Sequence, residues 1–156
     1  MKTLLIVMGK TTDKHFIAGI EDYIGRIKHY LPFQFVTIPE IKDTRNLSED
    51  QQKVQEGELI LKHLQVSDTV VLLDEHGTEY RSIEYAKWLQ KKMNTVKRLV
   101  FIIGGAYGFS QPVYQRANEL ISLSKMTFSH QMVRLIFVEQ LYRACTIIKG
   151  EPYHHE

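Results

Sequence analysis

Several kinds of chemistry are excluded by what this chain lacks. One cysteine, Cys145, is too few for an internal disulfide and fits a reducing compartment. It lies in an apolar helical run, where packing rather than nucleophilic attack is the expected role. No Cys-x-x-Cys or His-Glu-x-x-His spacing occurs, so no metal site is expected. No apolar run reaches membrane-spanning length. The opening Met1-Lys-Thr-Leu-Leu-Ile-Val-Met8 is short and has no small-residue cleavage site after it, so it reads as a buried strand rather than a signal core. A cytoplasmic protein is the expectation. Charge of one sign is scarce too: the formal net charge is only +2, so bulk charge does not announce a nucleic-acid partner. The acidic residues concentrate between 39 and 58 (Glu40, Asp43, Glu49, Asp50, Glu56 and Glu58), with lysines and arginines flanking them in sequence. A solvated mixed surface and an RNA footprint both account for that pattern.

What is present is alternation. At 156 residues the chain has the length of one domain burying about 70% of its unfolded surface. Apolar runs at Thr3–Met8, Phe33–Ile38, Thr69–Leu73 and Leu99–Ile103 read as strands, with a shorter one at Leu120–Leu123. Between them lie helical patterns. Asp13 is placed to cap a helix to about Tyr30, and Ser48 with Gln51 forms a capping box for another to about Leu64. Ser82 reads as the cap of a third, Pro112 opens a short fourth, and Gln131–Lys149 closes the fold. Such alternation predicts an α/β domain, a parallel-type sheet with helices on both faces. In the closing helix, 12 of the 17 residues from Met132 to Ile148 are apolar and surround most of its circumference. A helix of that kind is buried on several sides. The sheet covers one, and a second copy covering another predicts a homodimer through this helix.

Ligands of open parallel sheets bind beyond the carboxyl ends of strands. Three loops qualify: the one after Leu73, the Gly104-Gly-Ala-Tyr-Gly108 loop, and Leu123–Phe128. Glycines at 104 and 105 admit a ligand close to the backbone, and equally suit a plain connecting turn. The glycine spacing is not that of a dinucleotide fingerprint, and a Walker-type phosphate loop is absent, so a nucleotide-dependent enzyme of another class is a weak alternative. His130 and Arg134 stand one helical turn apart beside the last loop, and Glu139 with Arg143 makes a second such pair, readable as an interfacial salt bridge. The tail Pro152-Tyr-His-His-Glu156, continuing the last helix, is placed to reach a neighbouring subunit's pocket.

Together these segments resemble a known family. Val7-Met-Gly-Lys10, Leu72-Leu-Asp-x-x-Gly77, Ile103-Gly-Gly-x-x-Gly108, Leu123-Ser-x-Met-Thr-Phe-x-His-Gln131, Glu139-Gln-Leu-Tyr-Arg-Ala144 and Pro152-Tyr-His154 look like the RlmH family of SPOUT-class RNA methyltransferases, over the whole chain. Thr78 stands where a lysine is common, and Ser129 where a proline usually precedes the histidine. The resemblance implies one SPOUT domain over residues 1–156, with a deep trefoil knot near the C-terminus. It implies S-adenosylmethionine as cofactor, held by Leu73, Gly104 and the run Leu123, Ser124, Lys125, Met126, Thr127 and Phe128. It implies a homodimer that methylates N3 of a pseudouridine in large-subunit (23S) ribosomal RNA, on assembled ribosomes.

The residues fit that chemistry. A pocket of backbone groups suits adenine and leaves a sulfonium unneutralised by carboxylates. The imide N3 must lose its proton, and a histidine is the natural base at neutral pH, which makes His130 and His154 the candidates. Arg134 or Arg143 can steady the developing oxyanion or grip phosphate, and Tyr153 can stack on the base. A ribosome-associated dimer without catalysis is the remaining alternative.

Overall fold

The computed structural model describes residues 1–156. Five strands form one sheet: β1 (Lys2–Met8), β2 (Phe33–Ile38), β3 (Thr69–Glu79), β4 (Arg98–Ile103) and β5 (Glu119–Ser122). Their order is β2-β1-β4-β3-β5, and every neighbouring pair is parallel. The helices are α1 (Lys14–Ile27), α2 (Glu49–Lys62), α3 (Ser82–Thr95), α4 (Gln111–Arg116) and α5 (Met132–Lys149). Because side chains alternate along a strand, the sheet has two separate cores. Leu5, Val7, Val71, Leu99 and Phe101 face α1, α3 and α5. Leu4, Ile6, Val70, Leu72, Val100 and Ile102 face α2 and α4. The central strands are apolar on both faces, as covered parallel strands must be.

Local chemistry starts the helices. Asp13 accepts the N–H groups of His15 at 2.8 Å and Phe16 at 3.3 Å. Ser48 and Gln51 exchange bonds of 3.1 and 2.9 Å in a complete capping box. At α3 the expectation is corrected: Arg81, not Ser82, is the capping position, and Glu84 reaches back to its N–H at 2.8 Å.

Two other expectations are corrected. β3 does not stop at Leu73 but continues through Glu79, with its register on β5 shifting so that both Leu73 and Thr78 oppose Ile121. Residues 74–77 therefore form a bulge that bends the strand over the end of the sheet. Gly77 permits it, since a Cβ there would lie 2.6 Å from the backbone of Leu120 and Ile121. Nor does the tail prolong α5. Gly150 adopts the left-handed conformation (φ 72°), and the N–H of Glu151 turns back to the carbonyl of Thr146 at 2.9 Å.

Gly77→Ala has no flexible neighbour to displace and should cost about 2 kcal/mol. Urea denaturation measures this, and a change within 0.5 kcal/mol would show that the two segments can separate freely.

Candidate active site

The cleft lies where the sequence places it, beyond the carboxyl ends of β3, β4 and β5, with a volume of about 640 Å³. Leu73, Gly104, Leu123, Ser124, Lys125, Met126, Thr127 and Phe128 all line it, and so does His130. The last loop is held by its own serines. Ser122 donates its hydroxyl to the carbonyl of Ser124 at 2.9 Å, and Ser124 Oγ accepts the N–H of Met126 at 2.9 Å. Ser129 Oγ accepts the N–H of Met132 at 3.0 Å, satisfying a donor at the start of α5.

The cleft also holds side chains that sequence reasoning missed. Asp74, Glu75, His76 and Tyr114 line it, together with Glu49, Asp50 and Lys53 from α2. The expected carboxylate-free wall is thus corrected, because the bulge after Leu73 keeps Asp74 at the cleft. Tyr114 donates its hydroxyl to Asp74 Oδ2, and the backbone N–H of His76 donates to Oδ1 at 2.9 Å. Burial and this bond push the Tyr114 hydroxyl up to about 12. The quoted Asp-x-x-Gly77 motif was the only sequence signal, and it carries no pointer to Tyr114.

The remaining candidates do not line the cleft. Arg134 is 1% exposed. Its guanidinium donates to the carbonyls of Met8 (2.7 Å), Gly9 (2.8 Å) and His130 (3.0 Å) and to Thr11 Oγ1 (3.0 Å). Burial lowers its pKa, while the charge of Glu40 works the other way. Gln131 adds a second tie, accepting from the N–H of Thr12 at 2.9 Å and donating to the carbonyl of Lys10 at 3.1 Å. Together they fasten the end of β1 to the start of α5, directly beside His130.

Arg143, Tyr153 and His154 gather elsewhere, against α1 and α5. Glu139 Oε1 accepts from Arg143 at 2.5 Å and from the Tyr153 hydroxyl at 3.0 Å. Tyr153 also meets the Tyr23 hydroxyl at 3.1 Å, and burial with these bonds drives its pKa upward. Arg143 Nη1 lies 3.0 Å from His154 Nδ1. A guanidinium can only donate, so Nδ1 accepts and the proton of a neutral ring sits on Nε2. In this arrangement His154 has no free lone pair to act as a base. Nε2 of His154 and Nε of Arg143 are buried with no hydrogen-bond partner in the chain, the nearest carboxylate to the former being Glu156 at 3.9 Å.

The comparisons decide the class of this site. The family model described as "Predicted SPOUT methyltransferase" matches residues 1–154. The chain belongs to the SPOUT methyltransferase family. Proteins named ribosomal RNA large subunit methyltransferase H are close to it. The one from Bacteroides thetaiotaomicron is 64% identical, with 100% of both chains covered. That from Christiangramia forsetii is 58% identical over 99% of each. A solved probable methylase family protein from Haemophilus influenzae Rd KW20 has a TM-score of 0.53 at 11% identity, covering 99% of this chain and 70% of that one, a likeness of fold. In this SPOUT chain no helix is long and apolar enough to cross a membrane.

Arg134→Met would remove the donor from two buried carbonyls, a part-buried carbonyl and a hydroxyl, and should destabilise by about 3 kcal/mol. Chemical denaturation measures it. An unchanged midpoint would mean that water replaces the guanidinium at no cost.

Proposed function

We propose that this chain transfers the methyl group of S-adenosylmethionine to N3 of a pseudouridine in large-subunit (23S) ribosomal RNA, acting on assembled ribosomes in the cytoplasm. The observation that carries the reading is full-length identity of 64% to a protein named ribosomal RNA large subunit methyltransferase H, joined to a cleft built from the three matching loops. Residues 1–156 are read as one SPOUT domain with a trefoil knot.

The cleft fits the cofactor on its donor set. The N–H groups of Gly104, Ala106 and Tyr107 donate to no backbone oxygen of the chain and are free for a nucleoside. Leu73, Gly104 and residues 123–128 hold it in this reading. The cofactor supplies a methyl on a sulfonium, an electrophile that needs no metal but must be held in line with its acceptor. His130, exposed at the cleft, takes the N3 proton. Arg134 acts behind it as a positioning residue, since its donors are all directed into the chain.

Arg143, Tyr153 and His154 enter through a second copy. They do not line their own chain's cleft, so a role at the reacting base requires the partner's tail. Ile136, Gln140 and Ile147 of α5 stay partly exposed in one chain, which supports a homodimer packed on this helix. In the assembled site Arg143 grips phosphate or steadies the pyrimidine oxygen, and Tyr153 stacks on the base.

Labelled S-adenosylmethionine, incubated with ribosomes lacking the modification, tests the whole reading. Label on a pseudouridine N3 is the expected result, and label in no preparation would sink it. In the same assay His130→Asn should lower kcat by about 100-fold while S-adenosylhomocysteine binding persists. His154→Ala should act mainly on KM for ribosomes. Full kcat in His130→Asn would remove the histidine from the proton transfer.

A further inference from the structure

Glu56 is the least satisfied ionisable group near the cleft. It is 8% exposed, and its Oε1 is buried with no hydrogen-bond partner. Its other oxygen has only Gln52 Nε2 at 3.4 Å. Burial raises its pKa, and the charge of Glu40 adds to that rise. A buried acceptor without a donor carries a desolvation cost that native proteins rarely leave standing.

The position of this carboxyl is built. Gly57, next to it, lets α2 press on the chain just after the glycine loop: a Cβ at 57 would lie 2.4 Å from Ser110 Oγ. That close approach puts Glu56 directly behind Gly105. A Cβ at 105 would lie 2.7 Å from Oε1 and 3.0 Å from Oε2, so only the Gly105 hydrogens separate the carboxyl from the loop. On the loop side, Gly105 and Gly108 bridge one another, the N–H of Gly108 donating to the carbonyl of Gly105 at 3.2 Å. The N–H groups of Gly104, Ala106 and Tyr107 donate to no backbone oxygen of the chain. A buried acceptor without a donor thus lies behind a turn that still has donors to offer.

We propose that Glu56 is a positioning residue for the cofactor: when the cleft fills, its free Oε1 accepts a backbone N–H of the Gly105–Tyr107 turn and fixes the loop that holds the ligand. This rests on the methyltransferase reading and deepens it. The carboxyl has no donor within the chain and gains one when the loop closes on its ligand, so binding relieves its desolvation cost. Gly105 is glycine on this account because any side chain would separate the two partners.

S-adenosylhomocysteine titrated calorimetrically into the full chain tests this, with thermal unfolding of the ligand-free protein alongside. Glu56→Ala should melt at or above the wild-type temperature, because an unsatisfied buried group is gone, yet bind about tenfold more weakly. Glu56→Gln keeps a carbonyl acceptor and should recover most of the affinity. Gly105→Ala should weaken binding alone but add no further loss to Glu56→Ala, where the space is vacated. Amide exchange of residues 104–107 should slow on ligand addition in wild type and not in Glu56→Ala. A lower melting temperature for Glu56→Ala with unchanged affinity would make Glu56 a structural residue and overturn the proposal. Unchanged affinity with an unchanged melting temperature would overturn it equally. Wild-type protein that fails to bind S-adenosylhomocysteine would overturn the methyltransferase reading and this proposal together, whereas tight binding by all variants overturns this proposal alone.

Discussion

The guanidinium of Arg134 sits where the end of β1, the 9–12 loop and the first turn of α5 meet, and it bonds all three. It has no carboxylate hydrogen-bonded to it. The charge is spread over carbonyl dipoles at 2.7 to 3.0 Å, an arrangement that a planar fork satisfies and an ammonium does not. The geometric consequence extends past the contact itself. α5 cannot shift along its axis without breaking bonds to Met8 and Gly9, and the segment from Leu123 to His130 is anchored at its far end by that helix. The cleft wall and the histidine at its rim therefore inherit their positions from a buried residue that does not line the cleft. What Arg134 sets is distance, between the end of β1 and the start of α5.

Much of the fold was legible because local chemistry and tertiary demand agree. Strands such as Leu99–Ile103 are apolar on both faces, and only a covered parallel sheet accommodates them. The caps at Asp13 and Ser48 with Gln51 act over three residues and are visible in any window of the sequence. The continuation of β3 was not legible, since Asp74-Glu-His-Gly77 has the composition of a turn. Its pairing depends on Gly77 meeting β5, a contact between distant segments. The return of the tail had a signal that went unused: Gly150 after Lys149, with Pro152 beyond, is the pattern of a helix stop.

The candidate site divides in the same way. Loops at strand ends are found by topology, so the segments around Leu73, Gly104 and Leu123–Phe128 could be named before any coordinate. Partners that meet only in three dimensions could not. Tyr114 lies 40 residues from Asp74, and neither residue type identifies the other. A helical Arg on an apolar face reads equally as a phosphate grip, an interface pair or an internal clamp. Burial chooses between these, and burial comes from the packing of α5 on α1 and β1 rather than from spacing.

Arg134 and Glu56 show two opposite uses of a buried charge in one small domain. Both are more than nine-tenths covered. Arg134 has a partner on every nitrogen and locks its surroundings in the absence of any ligand. Glu56 has an oxygen with no hydrogen-bond partner and sits behind a loop in which the N–H groups of Gly104, Ala106 and Tyr107 donate to no backbone oxygen. A fully satisfied polar group fixes structure, whereas an unsatisfied one leaves free energy available for a later step. The rigid half of the cleft is thus the α5 side, where the Arg134 bonds fix the helix that His130 precedes. If Glu56 acts as proposed, the glycine loop is the half that ligand binding completes, and the desolvation cost of its carboxyl returns as affinity on the loop whose conformation the ligand needs.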